Sequence, residues 1–210
     1  MVAALRDMVL PDDVYDQELL SHVHPHNWVN PTPHGKYNLV VLGGGTAGLV
    51  SAGGTGGLGG KVALIEKALL GGDCLNVGCV PSKGVIRAAR AVYDVMNGAE
   101  FGVKLNEIPQ LSFAKAMERM RRLRAEIAPH DSAQRFTEEF KVDVFIGAGK
   151  FISANEIEVA GQRLQVDRAG FWGGFDFSVS FESSRVAGNY RRSYFCDPHR
   201  PQSHRRSGKY

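Results

Sequence analysis

A chain of 210 residues with 25 Lys and Arg against 22 Asp and Glu, 43% hydrophobic residues and three cysteines has room for about one or two domains. Its net charge of +3 is unevenly placed: from Arg168 onward there are eight basic and three acidic groups, so residues 1–167 are slightly acidic. The basic balance therefore argues for no nucleic-acid partner, since it rests on a tail without a recognition element, and no run approaches the length of a membrane-spanning helix.

Residues 1–35 are polar, and Pro11, Pro25, Pro31 and Pro33 interrupt any long element. Lacking the apolar stretch of a signal peptide, they read as an N-terminal extension. His22, His24 and His26 alternate, but Pro25 breaks the run and no Cys or carboxylate completes a ligand set, so a solvated loop is expected.

Lys36–Leu42 predicts a short buried strand running into Gly43-Gly-Gly-Thr-Ala-Gly48, a G-x-G-x-x-G fingerprint. In that arrangement Gly43 makes the tight turn, Gly45 lets the backbone approach a pyrophosphate, and Gly48 lets the next helix pack close to the strand. The diphosphate then rests on the helix N-terminus, where free N–H groups favour negative charge. A second strand, Lys61–Ile65, ends at Glu66, about 20 residues beyond the fingerprint, where a carboxylate can accept from a ribose hydroxyl. Between them lies Ser51-Ala-Gly-Gly-Thr-Gly-Gly-Leu-Gly-Gly60. Interior glycines cost about 0.8 to 1 kcal/mol each, so Gly53, Gly54, Gly56 and Gly57 predict a weakened helix; a flexible loop would leave the fingerprint without the helix it needs.

Gly71 to Lys83 reads Gly-Gly-Asp-Cys-Leu-Asn-Val-Gly-Cys-Val-Pro-Ser-Lys. Five residues of regular helix rise about 7.5 Å, more than the roughly 4.4 to 6.8 Å between the Cα atoms of a disulfide. Cys74 and Cys79 can therefore close only across a distorted backbone, which Asn76 and Gly78 permit. Residues 83–96 and 112–136 have helical spacing, and Met117, Met120, Leu123 and Ile127 form an apolar stripe expected to face the core. Gly149, within Phe145-Ile-Gly-Ala-Gly-Lys-Phe151, is compatible with an ordinary strand turn or with a close approach to a ligand.

Together these segments resemble the class I pyridine nucleotide-disulfide oxidoreductases, the flavoproteins that include dihydrolipoamide dehydrogenase, glutathione reductase and mercuric reductase. The resemblance spans about residues 36–167, and Phe113 to Ile127 followed by His130-Asp-Ser looks most like the mercuric-reductase-like branch. It implies an α/β fold: a Rossmann-like FAD-binding domain with FAD held by Gly43, Gly45, Ala47, Gly48, Glu66, Asp73, Lys83 and Gly149. Asp73 stands where relatives commonly carry Thr. It also implies a redox-active Cys74–Cys79 disulfide, with Cys79 against the flavin ring, Cys74 facing the substrate and Lys83 near the flavin. NAD(P)H would be the co-substrate, the acceptor a small molecule or a metal ion such as Hg(II), and the assembly of intact relatives a homodimer. A dihydrolipoamide-dehydrogenase-like reductase and a non-catalytic nucleotide-binding fragment are the alternatives. A cysteine pair suited to catalysis rather than stapling points to the cytoplasm.

Intact members of such a family need an inserted nicotinamide domain with its own fingerprint, a returning FAD segment and a C-terminal dimerisation domain. The division expected here is an extension (1–35), a partial FAD-binding domain (36–167) and an irregular, non-family tail (168–210), a truncated form inactive alone. Back-translation of Asp197-Pro-His-Arg-Pro-Gln-Ser-His-Arg-Arg-Ser-Gly, shifted one base, permits a sequence resembling the strand that opens the nicotinamide domain, so a frameshift is one origin for this tail.

Overall fold

The computed structural model describes residues 9–104 and 111–171. In chain order they form helix α1 (Val14–Val23), strand β1 (Lys36–Leu42), α2 (Thr46–Gly57), β2 (Val62–Glu66), the short α3 (Gly72–Asn76) and α4 (Cys79–Met96). Next come α5 (Phe113–Ile127), α6 (Ala133–Glu138), β3 (Asp143–Ile146), β4 (Gly149–Ser153), β5 (Glu156–Val159) and β6 (Gln162–Phe171). The six strands make one sheet in the order β3-β2-β1-β6-β5-β4. Strands β3, β2, β1 and β6 are parallel, while β5 and β4 continue from β6 as an antiparallel meander. The chain moves outward from β1 to β2 and β3, then returns through β6 to the other side of β1. That reversal creates the crevice at the carboxyl ends of parallel strands where ligands bind in open α/β sheets.

Alternation along the central strands divides the core between the two faces of the sheet. Val41, Val62, Leu64 and Val144 join Leu49, Ala52 and Phe136 beneath the helices. Val40, Leu42, Ala63, Ile65 and Phe145 point the other way, onto Ile157, Leu164 and Val166 of the meander. Apolar residues in succession on β1 and β2 are thus explained by burial on both sides.

The glycine-rich segment is helical, as expected, but two of its glycines are packing positions. A Cβ on Gly56 would lie 2.3 Å from the Phe140 carbonyl oxygen, and one on Gly53 would lie 3.3 Å from Phe136, whereas Gly54 faces open space.

Residues 9–35, the described part of the expected N-terminal extension, carry α1 and pack against the sheet. Asp13 caps α1, its side chain accepting from the N–H groups of Tyr15 and Asp16, while Asp16 reaches back to Asp13. Leu19 and Val23 are fully buried, worth roughly 1.5 to 3 kcal/mol each relative to exposure. Further on, Trp28 Nε1 donates to Val144 O at 3.1 Å. The Asn30 amide donates to Ile146 O at 3.0 Å and accepts from Ile146 N at 2.8 Å. These side chains satisfy the outer edge of β3, which would otherwise be open to pairing. His24, the C-cap of α1, has its Nδ1 2.5 Å from Ala68 O.

The predicted 112–136 helix is interrupted: α5 ends at Ile127 and a 3-10 turn over Ala128–Asp131, with Pro129 near its start, precedes α6. Its buried face is Met120, Arg124 and Ala125, while Ile127 is 38% exposed, so the expected apolar stripe is rotated toward a buried arginine. At the other end of the sequence, β6 crosses position 168 and pairs with β1 through Phe171 opposite Leu42. The boundary drawn at 167 therefore falls inside a strand; positions 172–210, including Cys196 and the frameshift segment, lie outside the described residues.

Candidate functional site

The fingerprint sits at the carboxyl end of β1, where strand gives way to turn. Gly43 has φ +103, a conformation open mainly to glycine. A Cβ on Gly48 would stand 1.9 Å from the Gly43 carbonyl oxygen, so α2 can approach the turn only with glycine there. Gly45 is the N-cap of α2 and supplies no side-chain cap, which leaves the first-turn N–H groups of Thr46 and exposed Ala47 available to an anion. Glu66, at the end of β2, accepts from Gly44 N at 2.6 Å and from Ala68 N at 2.7 Å. A carboxylate has about four acceptor sites, so Glu66 tensions the glycine turn and still has capacity for a hydroxyl. Gly149, at the start of β4, would carry its Cβ 3.1 Å from Leu42 and from Ile65, placing its backbone against the ends of β1 and β2 beside the fingerprint.

The cysteine motif is stitched to this turn. Gly71 N donates to Gly44 O at 2.8 Å, and Gly45 and Gly71 form an isolated parallel bridge. Gly72, at φ +53, passes so close that a Cβ would lie 2.7 Å from Gly45 Cα. Cys74 lies in α3 and Cys79 is the first residue of α4. Between them the helix breaks: Val77 N and Gly78 N both donate to Asp73 O, and a Cβ on Gly78 would be 2.8 Å from that oxygen. This is the distortion that the five-residue spacing demands, and it makes Gly78 a steric requirement.

Both cysteines are free thiols, Cys74 half-buried and Cys79 exposed. Their side chains are within hydrogen-bonding reach. That contact, followed by burial, pushes the Cys74 thiol above its ordinary range; the Thr46 hydroxyl pulls it down, and the charges of Cys79 and Asp131 push it up further. Cys79, at the N-terminus of an 18-residue helix, stands where free N–H groups and the helix dipole favour negative charge. Lys83 follows four residues later on α4 and is exposed, a spacing that sets it on the same helix face as Cys79. Asp73 is exposed in α3, and its described role is that of its backbone carbonyl at the helix break.

Residues 37–169 match the pyridine nucleotide-disulphide oxidoreductase family. The chain belongs to that family. Among curated relatives of its family, dihydrolipoyl dehydrogenase of Bacillus subtilis is 32% identical over 133 residues, covering 63% of this chain and 27% of that protein. Dihydrolipoyl dehydrogenase of Acholeplasma laidlawii is 32% identical over 130 residues, 62% and 38% of the two chains. Mercuric reductase of Lysinibacillus sphaericus is 30% identical over 132 residues, 63% and 24%. The matched region thus spans about a quarter to two-fifths of these relatives. A mutant of the HOCl-induced flavoprotein disulfide reductase RclA of Escherichia coli, in complex with Cu(II), shares the fold with TM-score 0.53 and 22% identity, covering 66% of this chain and 28% of that one.

Membership of the pyridine nucleotide-disulphide oxidoreductase family implies FAD as cofactor. The residues present fit a dinucleotide: an uncapped helix N-terminus, a glycine turn tight at Gly43 and Gly48 while Gly45 meets nothing nearer than Gly72 Cα at 3.8 Å, and a carboxylate at the end of β2. Three groups at the site escaped the sequence reading. Thr46 was legible only as a variable fingerprint position, and Asp131 only as part of a subfamily match, yet both act on Cys74. The third is Arg124, whose guanidinium donates from Nη1 to Asn76 O at 2.8 Å; it lies off the expected stripe of Met117, Met120, Leu123 and Ile127. No helix among the described residues is long and apolar enough to cross a membrane.

Proposed function

We propose that this chain carries the FAD-binding and dithiol portion of an NAD(P)H-dependent oxidoreductase that passes electrons through Cys74 and Cys79 to a soft acceptor, in the manner of a mercuric reductase. The observation that carries this reading is the Gly45–Gly71 bridge, which joins the cysteine turn to the dinucleotide turn backbone to backbone. FAD, when bound, supplies the electron pair taken from NAD(P)H. The chain's residues do the rest: the α2 N-terminus and Gly45 receive the diphosphate, Glu66 accepts from a ribose hydroxyl, and Gly149 borders the adenine side. Opening the Cys74–Cys79 bond takes two electrons and one proton, giving one thiolate and one thiol; by the family resemblance the thiolate is Cys79, the first residue of α4, and the thiol is Cys74. The raised Cys74 range supports that division. Thiolate pairs suit soft metal ions, and Cys74 is the group that would meet the acceptor.

Identity with dihydrolipoyl dehydrogenases slightly above that with the mercuric reductase favours a second reading, in which the acceptor is a small disulfide. Two measurements on the purified chain test the common part. Flavin fluorescence should be quenched on titration with FAD, more weakly in Glu66→Gln. Mild oxidation should remove two thiols from the chain and none in Cys74→Ser or Cys79→Ser. A thiol count that does not change on oxidation of the unaltered chain would sink the dithiol reading under either acceptor.

A further inference from the structure

Resting on that dithiol reading, we propose that helix α1 sets the geometry of the Cys74–Cys79 turn through a buried strut, Asp16–Arg124–Asn76, with Arg124 as a positioning residue. Arg124 Nη2 donates to Asp16 Oδ1 at 2.6 Å, with side-chain exposures of 7% and 0%. The same guanidinium donates from Nη1 to the backbone carbonyl of Asn76, the last residue of α3 and the midpoint of the C-x4-C segment. A helix leaves its final carbonyls without intrahelical partners, and here the break at Val77 and Gly78 that lets the cysteines face each other puts Asn76 O in that position. Arg124 supplies the partner.

The two ends of the strut are themselves fixed. Asp16 also accepts from Asp12 N at 3.1 Å and Asp13 N at 3.4 Å, the backbone entering α1. The Asn76 amide donates to Leu70 O at 3.0 Å and Gly72 O at 2.8 Å, the turn leading into α3. Helix α5 carries more of this load: Arg121 pairs with Asp13 at 2.5 Å, and a Cβ on Gly84 of α4 would stand 3.3 Å from Met120. One helix therefore holds α1, α3 and α4, the segments before, within and after the redox turn. Arg124 Nε and Asn76 Oδ1 are a buried donor and a buried acceptor with no partner among the described residues. The junction can thus exchange a hydrogen bond when the turn changes shape. Such a fork needs arginine: its planar donors reach two acceptors at once, whereas lysine offers one point charge.

The test uses the 210-residue chain with Cys196→Ser as background and the thiol–disulfide equilibrium of Cys74 and Cys79 against glutathione. Arg124→Lys keeps the charge beside Asp16 and loses the fork. The paired Asp16→Leu, Arg124→Met replacement removes both charges together, which proteins commonly tolerate where removal of one would leave the other stranded. In variants whose melting temperature stays close to the parent's, the effective concentration of one thiol at the other should fall at least tenfold. An equilibrium unchanged in a folded variant overturns the strut, and loss of the fold in both overturns it too, because the pair would then be a general folding requirement with no separable hold on the turn. Failure of the background chain to form the disulfide would instead defeat the dithiol reading beneath it.

Discussion

Replacing Gly54 and Gly56 separately by alanine should move stability in opposite directions, although both lie inside the same helix and differ by two positions. Each change gains about 0.8 to 1 kcal/mol of intrinsic helix propensity. At Gly54 nothing lies within 4 Å of the added Cβ, so the gain is kept. At Gly56 the Cβ would stand 2.3 Å from Phe140 O and 3.0 Å from Val142 Cγ2. The carbonyl cannot easily retreat: Val142 N is bonded to Phe136 O at 3.0 Å, and Lys141 between them is held at φ +57. Overpacking of this kind costs about 1 to 3 kcal/mol, which offsets or exceeds the propensity gain. The two variants should therefore be separated by about 1 to 3 kcal/mol, read as urea midpoints at constant slope and as a difference of roughly 2 to 4 °C in melting temperature per kcal/mol. Gly53→Ala, facing a ring edge at 3.3 Å, should fall between them. Equal stability of Gly54→Ala and Gly56→Ala would refute the close approach of α2 to the Phe140 turn.

Three further outcomes follow from the electrostatics and from exposure. Burial, offset in part by the charges of His130 and Arg135, raises Asp131 above the ordinary carboxylate range; its folded value exceeds its unfolded one, so its ionisation penalty is present at neutral pH and is relieved as pH falls through the raised value. Asp131→Asn should accordingly shift the urea midpoint upward at pH 7, with the gain fading toward pH 4, and a gain independent of pH would contradict this origin. Tyr37 is raised above its usual range by burial and then by its 2.7 Å hydrogen bond to Asp143, so its phenolate absorbance should appear only on alkaline unfolding; Tyr37→Phe should cost roughly 1 to 3 kcal/mol by leaving the carboxylate unpaired. Iodoacetamide at neutral pH should label exposed Cys79 before half-buried Cys74, mapped by peptide mass, and equal labelling would contradict the assigned environments.

The contrast between what the sequence disclosed and what it hid has a physical cause. The fingerprint is local: strand, turn, helix and acid occupy 31 consecutive positions from Lys36 to Glu66, and two of its glycines are enforced, Gly43 by φ +103 and Gly48 by the Gly43 carbonyl that a Cβ would strike, so residue type at those positions reports the geometry. The cysteine spacing is local in the same sense, and it announced a broken helix because regular helix cannot bring those two residues together. Helix α1 failed to announce itself for the opposite reason. Of its apolar residues only Leu19 and Val23 are buried while Val14 is exposed, its capping box uses Asp16 in place of the usual Glu or Gln, and that same Asp16 is fully buried, which a polar extension does not anticipate. The burial is possible only because Arg124 arrives from 108 positions away. Taken singly, Asp16 and Arg124 each look like a solvated charge; desolvating either alone would be prohibitive, and desolvating both fastens the N-terminal helix to the turn between Cys74 and Cys79. Pairings across such distances leave no periodic trace, so a charge at a helical position that breaks an otherwise apolar stripe, as Arg124 does between Met120 and Ala128, is the one local sign that a buried partner lies elsewhere.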